Sequence, residues 1–143
     1  MSGFPQIISK YKWFLIAWFL INIIQASFTN LHYDEAYYWL YSKILNWGYF
    51  DHPPVIALIS KIGDTISHST LGLRSVPILM GIIVLIGILK LADNKSNGLN
   101  LFLYVISFPL VTSHIAGFLA LPDAGLCFFF ILFLFISKKY LKE

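Results

Sequence analysis

The chain is constrained first by where its charges are missing. No ionisable residue falls between Trp13 and Phe28, nor between Val76 and Leu89. A third apolar run begins at Leu99 and fades near Ser113, and a fourth ends at Ile136, just before Lys138-Lys139. A helix needs ~20 mostly apolar residues to cross the hydrocarbon core of a bilayer. The reading is therefore an all-α, multi-pass transmembrane protein with four spans, at 13–28, 76–92, 99–113 and 118–136. Pro77 is expected in the first turn of the second span, where proline is tolerated. The strongly apolar part of the fourth, Ala124 to Ile136, falls short of a full crossing. Spans three and four are then short, tilted, or separated by a loop that dips into the membrane. Charged residues make up only 12% of the 143, against roughly 25% in an average soluble domain.

The positive charges set an orientation. Lys10, Lys12, Lys90, Lys95, Lys138, Lys139 and Lys142 fall on one side of this scheme, and Lys43, Lys61 and Arg74 on the other. The lysine-rich side is expected to be cytoplasmic, with both termini inside. Asp34, Glu35, Asp51, Asp64 and Asp123 then lie on or near the outer side. The net charge of +3 does not indicate a nucleic-acid partner, because the basic residues flank apolar runs rather than forming a patch. Lys10 and Lys12 ahead of the first run also suit a signal peptide, but Ile24-Gln25-Ala26 is a poor cleavage site, so an uncleaved span is expected. Cys127, the single cysteine, allows no internal disulfide and suggests no metal site.

The outer loop, 29–75, is unlike an ordinary loop. Glu35 to Trp47 is helix-compatible and rich in Tyr and Trp, rings that favour a membrane interface. Gly48 to Pro54 reads as a turn. Val55, Ile56, Ile59, Ile62 and Ile66 then recur at helical spacing. Two amphipathic helices along the outer surface are expected; a hairpin that merely anchors the chain fits the periodicity equally well.

Three motifs could carry chemistry. Asp34-Glu35 pairs two carboxylates where desolvation and mutual repulsion would raise a pKa, which suits a general base or a divalent-metal site. The same acids suit a helix N-terminus, with Asp34 as cap. Asp51-His52-Pro53-Pro54 is a stiff turn that could present an imidazole to a phosphate or a proton, or simply face water. Asp123, after Pro122, is a carboxylate at the start of a membrane helix, a functional position or another cap. Arg74 suits a phosphate or head group, or snorkels to the interface. Asp64 reads as part of a solvated helix face, and His68 and His114 as loop histidines.

In order and spacing, His32-Tyr33-Asp34-Glu35-Ala36-Tyr37-Tyr38-Trp39, Gly48 to Pro54, Arg74-Ser75-Val76-Pro77 and Leu121-Pro122-Asp123-Ala124 resemble the N-terminal part of the GT-C membrane glycosyltransferases. Within these the chain is most similar to the branch of protein O-mannosyltransferases, aminoarabinose transferases and Rgt-type enzymes. The resemblance implies sugar transfer from a polyprenyl-phosphate-linked donor to a lipid, glycan or protein acceptor at the outer face of the bacterial cytoplasmic membrane. It implies catalytic roles for Asp34, Glu35 and Asp123, and substrate contacts from Tyr38, Asp51, His52 and Arg74. It leaves metal dependence open; a divalent metal, if one takes part, would sit on Asp34 and Asp123. Enzymes of this family are several times longer, so the chain is expected to be an N-terminal module, with a separately encoded C-terminal part as one candidate partner. Two other readings share the scaffold: a non-catalytic membrane protein, or a decayed copy, that binds a lipid or partner, and a transporter piece whose acids relay ions.

Overall fold

The computed structural model describes residues 3–92 and 117–141. Among these it is all-helical: α1 Phe4–Phe28, α2 Tyr33–Lys43, α3 Pro54–Ile66, α4 Thr70–Ala92 and α5 Pro122–Tyr140. The expected third span, the Asp93–Gly98 turn and His114 lie outside the described residues.

α1 and α4 are long and apolar enough to cross a membrane. Both are longer than their apolar cores. α1 starts nine residues before Trp13, with Pro5 in its first turn, because Lys10 and Lys12 are good helix formers although they are not apolar. α4 starts at Thr70, so Pro77 lies inside the helix rather than in its first turn. Pro77 brings no N–H, which deprives the Leu73 carbonyl of its helical donor. α5 begins at Pro122 rather than 118. Its uncharged stretch, Ala124–Ser137, rises about 21 Å at about 1.5 Å per residue, less than a bilayer core of about 30 Å.

One stripe of α1 is buried: Ile7, Leu15, Trp18, Asn22 and Ala26, at steps of three and four once half-buried Tyr11 is counted. This is the seam of a packed helix. It meets Val84, Leu85, Ile88 and Leu89 of α4 and Ile131 of α5 in the main apolar cluster. Ala26 and Ile78 meet Phe118 and Leu119 in a second cluster. The end of α1 therefore packs on the beginning of α4, and the two run antiparallel. α5 runs back alongside: Phe135 meets Phe4 at 5.6 Å between ring centroids, and Lys90 lies over the Phe4 ring. Away from the seam, apolar side chains such as Trp13, Leu20, Ile24, Phe129 and Phe133 remain exposed.

α2 and α3 form a hairpin at the other end. Gly63 and Gly72 let α3 and α4 touch backbone to backbone: a Cβ on Gly63 would stand 2.5 Å from the Gly72 carbonyl oxygen. α3 buries Ile56, Ile59, Gly63 and Asp64, while Val55, Ile62 and Ile66 face outward. The apolar face of α3 is thus covered in part by its neighbours and open in part to the surroundings.

Candidate functional site

The hairpin is fixed by two ionic locks that sequence reading missed. Glu35 and Arg74 are both 0% exposed. Arg74 Nη2 donates to Glu35 Oε2 at 2.6 Å and Nε to Oε1 at 2.9 Å. The rest of the guanidinium serves the end of α1: Nη1 donates to the Ala26 and Thr29 carbonyls, and Nη2 also to that of Asn30. Glu35 Oε1 accepts from Ala120 N–H at 3.0 Å and Oε2 from His32 N–H at 3.0 Å. One ion pair thus joins α1, α2, α4 and the segment before α5. Burial works to raise the Glu35 pKa; the bonds from Arg74, Ala120 and His32 and the Arg74 charge outweigh it, holding the carboxyl below its ordinary range. The Arg74 guanidinium neither snorkels nor faces outward; it is spent on protein acceptors.

The second lock is Asp64, only 2% exposed and not on a solvated face. It accepts from Lys43 Nζ at 2.7 Å and Trp39 Nε1 at 2.8 Å, and lies 3.1 Å from His68 Nδ1. The Lys43 and His68 contacts lower its pKa, against the effect of burial. His68 is four positions away, but Lys43 and Trp39 are 21 and 25 positions away and meet Asp64 only through the α2–α3 packing.

With Glu35 and Asp64 engaged, the other acids become the candidates. His32, not Asp34, is the N-cap of α2; its Nδ1 accepts from Asp34 N–H at 3.4 Å while Glu35 closes the capping box. The Asp34 carboxylate caps nothing and lies 3.5 Å from His32 Nδ1. In α5 the N-cap is Leu121, and Asp123 stands exposed in the first turn. Both acids sit where the helix dipole favours negative charge, and neither has the capping role.

Tyr38 and His52 join the motifs. The Tyr38 hydroxyl is 2.9 Å from His52 Nε2, and His52 Nδ1 is 3.0 Å from Asp51 Oδ1. That second contact is off the line of a hydrogen bond, leaving Nδ1 a buried ring nitrogen without an aligned partner. Asp51 Oδ1 accepts from the Tyr37 and Tyr41 hydroxyls, each at 3.0 Å, and those two hydroxyls also bond to each other. The contact with His52 is the main reason the Asp51 carboxyl is held low, with the two tyrosines adding to it against desolvation. Burial, then the charges of Asp34, Asp51 and Asp123, push the Tyr38 pKa up.

This arrangement can accept a proton at a carboxylate, hold one on Tyr38, and present an imidazole. Among the described residues no group of three His, Cys, Asp or Glu side chains could hold a metal. The chain matches no protein-family model, no curated protein and no solved structure. Among the described residues, fold and site define an all-helical arrangement with two helices long and apolar enough to cross a membrane and a polar cluster at one end of the bundle.

Proposed function

We propose that the chain is the N-terminal module of a GT-C membrane glycosyltransferase. On this reading it moves a sugar from a polyprenyl-phosphate carrier to a lipid, glycan or protein acceptor at the outer face of a bacterial cytoplasmic membrane. It crosses the membrane four times with both termini inside, and α2 and α3 lie at the outer interface. The observation that carries the reading is the Tyr38 hydroxyl 2.9 Å from His52 Nε2, with Asp51 beside the same ring at 3.0 Å, which joins the first two motifs. It is the meeting of motifs that the resemblance calls for. The separation of Lys10, Lys12 and Lys90 on one end from the acids on the other supports the orientation.

In this scheme Asp34 takes the acceptor hydroxyl proton as the new glycosidic bond forms at the anomeric carbon and the bond to the carrier phosphate breaks. The phosphate leaves with the bonding electron pair. Asp123 shapes the same mouth, and His52 meets the phosphate oxygens. Tyr38, kept protonated by burial and the nearby acids, serves as the donor to His52 Nε2 in this scheme, which leaves the ring hydrogen on Nδ1. Glu35 and Arg74 position these groups without touching substrate. No step runs through a metal.

The test is transfer from a labelled polyprenyl-phosphate sugar in membranes holding the chain and the product of any adjoining reading frame, with the product's anomeric configuration determined. Direct displacement predicts inversion. Retention would refute the mechanism, and absence of transfer would favour a non-catalytic lipid-binding protein.

A further inference from the structure

We propose that the turn between α2 and α3 is a membrane-insertion element, with Trp47 and Phe50 entering the lipid leaflet at the hairpin end of the bundle. The inference does not rest on sugar transfer and would hold for a non-catalytic protein.

The turn is braced. The Tyr49 hydroxyl accepts from Asn46 N–H at 3.1 Å and lies 2.9 Å from the Ile44 carbonyl oxygen, and its ring stacks on Tyr41 at 3.9 Å. Asn46 Oδ1 accepts from Trp47 N–H at 2.8 Å. All of this bracing comes from Tyr49 and Asn46. The large apolar residues turn away from it: Trp47 is 95% exposed, Phe50 fully so, and Ile44 and Leu45 are more than half exposed. In water such side chains would fold under the turn, since removing apolar area from water is the main favourable term in folding. A rigid turn that holds them outward needs an apolar environment there.

Three observations identify that environment as lipid. Residues 44–50 carry no charge, and their Trp, Tyr and Phe are the rings that settle at a bilayer interface. The exposed apolar surface continues along both helices, through Tyr33, Tyr37 and Leu40 of α2 and Leu58, Ile62 and Ile66 of α3. The hairpin is also joined to the two long apolar helices by the short connections 29–32 and 67–69, and held against α4 by the Glu35–Arg74 pair and the Gly63–Gly72 approach. Four extended residues reach about 14 Å at most, so the start of α2 and the end of α3 stay close to any bilayer crossed by α1 and α4. Insertion would hold Tyr37, Tyr41, Asp51 and His52 at the depth of lipid phosphates.

The test uses the full chain in phosphatidylcholine–phosphatidylglycerol vesicles, with Trp13, Trp18 and Trp39 changed to Phe so that Trp47 alone emits. Expected are a blue-shifted emission, loss of iodide quenching relative to the detergent-free unfolded chain, and strong quenching by phospholipids brominated near the head-group end of the acyl chain. A protein retaining only Trp39, whose indole donates to Asp64, should show weaker lipid quenching. If the triple substitution does not fold, a nitroxide on Trp47→Cys in a Cys127→Ser background should collide more with oxygen than with a water-soluble nickel complex. Full iodide or nickel access would overturn the proposal. So would protection from iodide without bromolipid quenching, because protein would then cover the turn.

Discussion

Arg74 and Glu35 stand 39 positions apart and meet through two hydrogen bonds with no solvent exposure on either side chain. Breaking such a buried pair from one side leaves an uncompensated charge and costs about 3–5 kcal/mol. Arg74→Ala and Glu35→Gln should therefore both lower unfolding stability in mild detergent. Replacing both by leucine, which often restores stability for a simple buried pair, should not do so here. The carbonyls of Ala26, Thr29 and Asn30 and the Ala120 N–H would still lose their partners. Full recovery in the double variant would show that those backbone bonds contribute little.

Asp64 makes the hairpin acid-sensitive. Its pKa is lowered in the folded chain, chiefly by Lys43 and then His68. A carboxyl lowered on folding adds stability above the ordinary aspartate pKa of about 3.9 and loses it as pH falls through the folded value. Denaturation followed on the acid side should steepen below about pH 4. Asp64→Asn should flatten that slope while leaving the contributions of Glu35 and Asp51, which are lowered as well. An unchanged slope would mean the lock survives protonation.

The α3–α4 contact allows no side chain at two points. A Cβ on Gly72 would come against the Ser67 carbonyl oxygen, and one on Gly63 would stand 2.5 Å from the Gly72 oxygen. Both obstacles are backbone, so the helices must part. Gly63→Ala should cost about 1–3 kcal/mol, whereas Gly48→Ala, with open space around it, should be neutral. Thermal unfolding of the two variants side by side makes the comparison.

Tyr38→Phe removes the hydroxyl that holds His52 Nε2 while leaving the ring that packs in the hairpin. Stability should change little, and any transfer activity should fall by about tenfold or more, with its pH profile altered, because the His52 tautomer is no longer fixed. Equal losses of stability and activity would mark Tyr38 as merely structural.

The sequence made the long helices legible because hydropathy reports the apolar stretch, and it placed Asp34, Asp51 and Asp123 at one end. It misjudged helix ends at Phe4 and Thr70, since a helix continues through Lys10 or Arg74 where hydropathy stops. The locks were not legible. Nothing local distinguishes buried Asp64 or Glu35 from half-buried Asp34 or exposed Asp123; partners up to 39 positions away decide it. Glu35 and Arg74, expected at the substrate, are instead wholly engaged by protein groups. The three-residue step from His32 to Glu35 was a capping-box spacing with an unusual cap, and a search limited to Ser, Thr, Asp and Asn passes over it.

The most direct measurement is sugar transfer from the polyprenyl-phosphate donor by the chain, with the product of any adjoining reading frame supplied, for Asp34→Asn and Asp123→Asn beside the unaltered protein. A lost general base typically lowers the rate by about 10²–10⁴-fold. The proposal predicts a fall of that size for Asp34→Asn and a clear loss for Asp123→Asn, both without loss of folded protein in the membrane. Undiminished transfer by Asp34→Asn, or none by the unaltered protein, would contradict it.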